Sequence, residues 1–73
     1  MSFKFDIEIE REEDGRWIAE IPSLPGVMAY GDSKEQAVQS VHALAFHVLG
    51  DQIAHDPKPS QERELVVCFA CAQ

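Results

Sequence analysis

The run Asp14-Gly15-Arg16-Trp17-Ile18-Ala19-Glu20-Ile21-Pro22-Ser23-Leu24-Pro25-Gly26 constrains the fold more than any other part of this chain. Asp-Gly between two apolar-patterned segments is a hairpin signal, because the turn needs a positive φ that glycine adopts at little cost. The segment Arg16 to Ile21 must then leave the hairpin as a short strand. Pro22 and Pro25 fix φ twice within four residues, and Gly26 releases the chain in a new direction. A strand, a tight corner and a second strand are therefore forced into the first half of the chain.

The residues around this run supply the partners. Phe3, Phe5, Ile7 and Ile9 alternate with Lys4, Asp6, Glu8 and Glu10. Period-two alternation describes a strand with one dry and one wet face, as in an antiparallel sheet. Arg11 to Gly15 turns the chain and Arg16 to Ile21 returns it, with Trp17, Ala19 and Ile21 toward the core. Ile18 and Glu20 then point outward. Val27 to Tyr30 forms a third strand after the proline corner, with either Val27/Ala29 or Met28/Tyr30 facing out.

A helix follows. Asp32 or Ser33 caps it, since Asp32–Glu35 and Ser33–Gln36 both have capping-box spacing. Apolar residues recur with helical period at Ala37, Val38, Val41, Leu44, Ala45, Val48, Leu49 and Ile53. Gly50 weakens the last turns by about 1 kcal/mol relative to alanine. Pro57 ends the helix near Ala54 to Asp56, because the residue before a proline is pushed out of the α region. Asp56 to Arg63 is a polar connector, and Leu65 to Ala70 is a continuously apolar final strand. The element order is β-β-β-α-β, an α+β fold in two layers. Three strands form an antiparallel meander, the helix packs on one face, and a right-handed crossover sets the last strand beside the first and parallel to it.

The chain has 73 residues, 45% of them hydrophobic, and a formal net charge of −7. That length makes one domain, whose core alone is marginal and gains from oligomerisation. The charge argues against gripping nucleic-acid phosphates, which takes Lys and Arg, and suits a basic partner. No stretch approaches the roughly 20 apolar residues that span a bilayer, and the opening residues have no signal-peptide pattern; the expected compartment is the cytoplasm.

Candidate chemistry is sparse. Asp6, Glu8, Glu10, Glu12, Glu13 and Asp14 cluster in the first hairpin, with Glu20 on the returning strand. They read as a solvated sheet face or as an acidic platform for a basic protein. A metal-dependent nuclease would need carboxylates converging from several elements, and here they come from two adjacent strands. Ile18, with the outward pair of the third strand and the apolar final strand, points to self-association. His47, Asp51 and His55 recur along one helix face, which suits a solvated helix end better than a metal site. Cys68 and Cys71 match C-x-x-C, but at a strand rather than at the helix N-terminus that would activate a thiol. No catalytic residue, metal site or cofactor is expected.

Gly15, Trp17, Ala19, Pro22, Leu24, Pro25 and Gly26, followed by Gly31, Ser33, Glu35 and Ala37, match the pattern G-x-W/Y-x-A-x-x-P-x-L-P-G, short strand, G-D/T-S/T-x-E-x-A. In this the chain resembles the HicB-like antitoxins of bacterial type II toxin–antitoxin pairs, over about residues 3 to 56 and more loosely in the last strand. The resemblance implies a truncated ribonuclease-H-like sheet. It also implies a protein that neutralises a small basic mRNA-cleaving toxin of double-stranded-RNA-binding-like fold. The face argument, rather than any family site, assigns Glu8, Glu10, Glu12, Glu13 and Glu20 to partner binding, with Ile18 as an apolar anchor. Many such antitoxins carry a C-terminal DNA-binding segment. Only Ala72 and Gln73 follow Cys71 here, so residues 1–73 are expected to be a single HicB-like domain without operator binding. The alternative is a stand-alone homo-oligomeric binding or scaffold domain with no toxin partner.

Overall fold

The structure, a computed structural model, describes residues 2–55 and 66–72. Four strands and one helix follow in the order β1 (Ser2–Arg11), β2 (Trp17–Glu20), β3 (Met28–Gly31), α1 (Lys34–Ala54) and β4 (Val66–Ala72). They make one mixed sheet, β3-β2-β1-β4, with α1 on one face. The meander is antiparallel and β4 lies parallel to β1. The expected β-β-β-α-β arrangement is the observed one. Boundaries move by one or two residues: β4 starts at Val66 and continues through Cys71 to Ala72. The expected connector and Leu65 lie outside the described residues.

Alternation along β1 decides which side is core. Phe5, Ile7 and Ile9 are buried, and the residues between them are exposed. Ile9 faces Ala19, and Ala19 faces Ala29, so the dry side continues across the meander. The helix presents Ala37, Val41, Ala45 and Leu49 to this surface, all buried at i, i+4, i+8 and i+12. Val38, Leu44 and Val48 flank that row, half-buried against the same core. Small residues at two of the four central positions let the helix approach the sheet closely.

Local chemistry shapes each connection. Gly15 has φ 91° and closes a three-residue loop, in which its N–H donates to the Glu12 carbonyl at 3.0 Å. This is a type I turn followed by a left-handed residue. The proline corner is bonded to itself. Ile21 N–H donates to the Val27 carbonyl, Leu24 N–H to Ile21 and Val27 N–H to Leu24, at 3.0, 2.9 and 3.0 Å. Ile21, Leu24 and Val27 are buried by this fold-back, while both prolines stay outside. Ser33 is the helix N-cap: its hydroxyl accepts from Gln36 N–H at 3.1 Å, and Gln36 Oε1 accepts from Asp32 N–H. Between the two caps that the sequence allows, the structure selects Ser33.

The sheet is staggered. β2 pairs with β1 only at Glu8 to Arg11, because the corner takes the chain out of the ladder after Glu20. β4 pairs with the other end of β1, from Ser2 to Glu8. Among the described residues the sheet is four strands wide only at Glu8. The molecule is accordingly long, 46 × 18 × 16 Å, with a radius of gyration of 13.8 Å against about 11 Å for a compact chain of this size.

Gly31 is a close joint between the layers. A Cβ there would stand 2.5 Å from the Ala37 backbone nitrogen in the first turn of α1. Neither backbone can yield without moving β3 from the helix. Gly31→Ala is therefore expected to destabilise the fold by about 1–3 kcal/mol, read as a lower urea midpoint. Gly50→Ala, with open space around its Cβ, is expected to be neutral or stabilising.

Candidate functional site

The face of the sheet away from α1 has no covering layer among the described residues. Strand register assigns its occupants. One row across the sheet is Glu10, Ile18 and Tyr30; the next is Glu8, Glu20 and Met28. Asp6 and Lys4 continue the face along β1. Met28 and Tyr30 are 42% and 47% exposed, so Val27 and Ala29 form the inward pair. Ile18 is half-buried between Glu10 and Tyr30. The result is an apolar strip of Ile18, Met28 and Tyr30 bordered by Glu8, Glu10 and Glu20, with Asp6 one step further along β1. A shallow depression of about 290 Å³ beside it is lined by Lys4, Asp6, Glu8, Pro22 and Ser23.

The electrostatics of this face are unbalanced. Glu8 and Glu20 are direct partners in the β1–β2 ladder, and like charges directly opposite one another oppose pairing. Among the described residues, no cation lies within ion-pair distance of Asp6, Glu8, Glu10 or Glu20. Arg16 is engaged at the hairpin end. Its guanidinium lies 4.7 Å from the Tyr30 ring centre, and its Nε donates to Asp14 Oδ2 at 2.7 Å. The Arg16 backbone N–H donates to the other Asp14 oxygen at 3.0 Å. That backbone bond, helped by the guanidinium, holds the Asp14 carboxyl below the usual carboxylate range.

The expected binding residues therefore divide. Glu8, Glu10, Ile18 and Glu20 come together on the outer face. Glu12 and Glu13 lie at the hairpin, where they line a depression with Asp14 and Arg16. Asp6, Met28 and Tyr30 share this face in addition to the expected binding residues. Asp6 was visible in the same alternation, whereas the choice of Met28 and Tyr30 depended on how the corner delivers β3.

The remaining candidates do not converge. Cys68 and Cys71 are three apart within β4, so they point to opposite faces of the strand; both are free thiols. His55 Nδ1 contacts its own helix at the Asp51 carbonyl, 2.8 Å away, with Asp51 Oδ1 at 3.5 Å. His47, Asp51 and His55 are exposed. Among the described residues no three His, Cys, Asp or Glu side chains are placed to hold a metal ion. No helix among them is long and apolar enough to cross a membrane.

The fold and this face define a small α+β domain with one open, acidic, apolar-centred sheet surface. No protein-family model, curated protein or solved structure matches the chain.

Two measurements test this surface in the isolated protein. Glu20→Gln relieves the Glu8–Glu20 opposition and is expected to raise stability by about 0.2–1 kcal/mol, seen as a higher urea midpoint; a drop would contradict the register. The Asp14 carboxyl is expected to titrate below free aspartate in a carbon-detected NMR titration. Because its folded value is lowered, its contribution to stability is present above the ordinary range and is lost as pH falls through the lowered value.

Proposed function

We propose that this protein is an antitoxin-like inhibitor, which uses its outer sheet face to bind and neutralise a small basic mRNA-cleaving toxin. The observation that supports this reading most is the uncompensated row of Glu8, Glu10 and Glu20 around Ile18. A folded chain retains like charges opposed across a ladder at a cost in stability, and a cationic partner removes that cost on binding. The apolar strip supplies area that can be desolvated, and the carboxylates of β1 and β2 form an acidic rim along one side of it. Such a rim accelerates encounter with a basic surface and excludes acidic partners.

Inhibition follows from competition. A ribonuclease that grips RNA must present cations to phosphates. Carboxylates spaced along β1 and β2 occupy those cations, and Ile18, Met28 and Tyr30 cover the ground between them. No covalent step is required. Glu12 and Glu13 extend the acidic surface past the hairpin turn.

A second reading, a stand-alone homo-oligomeric module without a toxin, is favoured by a different observation, the open edge of β4. Affinity capture from the native cells separates the two. The antitoxin reading expects a stoichiometric small basic protein that is released by high salt, since exposed charge pairs are screened within about 8–10 Å at moderate ionic strength. Glu8→Gln/Glu20→Gln is expected to lower its affinity at least tenfold while remaining folded. Recovery of the chain alone at every salt concentration overturns the antitoxin reading.

A further inference from the structure

The two ends of the staggered sheet are finished differently. At the hairpin end, β1, β2 and β3 make three strands under the helix. At the other end, β1 pairs with β4 alone across Ser2 to Ile7. A two-stranded ribbon is marginal in water without a third strand or a helix packed on it, and α1 reaches this one only with its flank, at His42 and Phe46. The outer edge of β4 is meanwhile an unpaired row of backbone donors and acceptors among the described residues, since β4 ends the strand order. Natural edge strands are shortened, charged or interrupted by proline to prevent pairing. β3, at the opposite edge, is four residues long and is followed directly by Asp32. β4 is seven residues, Val-Val-Cys-Phe-Ala-Cys-Ala, with no charge and no proline.

We propose that β4 is a self-recognition edge: two copies of this chain pair β4 against β4, antiparallel about a two-fold axis, in one continuous eight-stranded sheet. This goes beyond the reading of the outer face and does not depend on it. Three observations select a second copy as the occupant. A chain of net charge −7 repels itself over most of its surface, and β4 is an uncharged element where like can meet like. A two-fold contact must be self-complementary, and β4 is so in one central register. With Phe69 opposite Phe69 of the second copy, Val67 meets Cys71 and Cys68 meets Ala70. Inward residues then face inward residues, and all seven positions are paired. The second copy also turns the β1–β4 ribbon into the four-stranded set β1-β4-β4-β1, which supplies the missing width where it is missing.

Side chains on the helix side are arranged for this neighbour. Phe69 is the centre of an aromatic cluster, with ring centres of His42, Phe46 and Phe5 at 4.4, 5.6 and 5.8 Å. Phe46 is nevertheless 54% exposed, because α1 lies over β2 and β3 and only its flank reaches β4. A groove of about 440 Å³ remains between that flank and β4, lined by Val38, His42 and Cys71 among others. In the central register, Val67 of the second copy arrives beside Cys71, at this groove. His42, whose Nε2 is buried without a hydrogen-bond partner among the described residues, lines the same groove.

Charge exchange on the exposed outer face of β4 tests both the pairing and its register. Cys68 and Ala70 are exposed, so the isolated fold tolerates their replacement. Wild-type protein is expected to sediment at twice the chain mass from micromolar concentrations upward. Cys68→Glu/Ala70→Glu sets glutamates opposite glutamates across the two-fold and is expected to give the single-chain mass. Cys68→Glu/Ala70→Lys sets opposite charges together and is expected to restore the dimer. Ala70→Cys, a change too small to threaten folding, is expected to give a covalent dimer on mild oxidation through Cys68 of the second copy, and to lose it when Cys68→Ala is added. A single-chain mass for the wild type overturns the proposal. So does a dimer indifferent to both charge variants, or one abolished instead by Ile18→Glu on the outer face.

Discussion

Among the described residues β1 is the only strand that touches both halves of the sheet, and the rest of the structure depends on its two-sidedness. Its inward residues Phe5, Ile7 and Ile9 are buried, each worth about 1.5–3 kcal/mol of apolar transfer. They meet β2 and the helix at one end and β4 at the other. A one-residue slip of register would exchange these residues with Lys4, Asp6, Glu8 and Glu10. The alternation therefore sets the core and, by the same geometry, places a line of carboxylates on the opposite face. Core and acidic face are two consequences of one strand.

What the fold needs and what the outer face carries are separable. The residues of the hairpin and corner pattern serve the fold: Gly15 supplies the left-handed turn, Leu24 is buried in the corner, and Gly31 lets β3 lie against the first turn of α1. None of them is on the acidic strip. Glu8 and Glu20 do nothing for the core and oppose each other in the ladder. The same separation holds for the edges. The short β3 is closed by a charge, while the longer apolar β4 is left open among the described residues. The acidic face proposed for a cationic partner and the neutral edge proposed for a second copy do not compete for the same side chains.

Much of this was legible in the residues. Strict alternation gave the faces of β1 with Glu8 and Glu10, and the hairpin return gave those of β2 with Ile18 and Glu20. Helical period gave the buried row from Ala37 to Leu49, and the Asp-Gly and proline punctuation gave the turns. Three features were not legible. Which pair of β3 faces outward depends on the hydrogen bonds between Ile21 and Val27, and composition does not show them. The choice of Ser33 over Asp32 as cap rests on one side-chain bond. The stagger of the sheet comes from where β2 leaves the ladder relative to where β4 joins it, a relation between segments far apart in the chain.

The central claim is that the outer face acts by occupying the cationic surface of a ribonuclease. The direct measurement is RNA cleavage by the captured basic protein, titrated with this chain and with the Glu8→Lys/Glu20→Lys variant. The account predicts cleavage by the partner alone, complete suppression at stoichiometric wild-type protein, and little suppression by the charge-reversed face. A partner that leaves RNA intact, or equal suppression by both proteins, would contradict it.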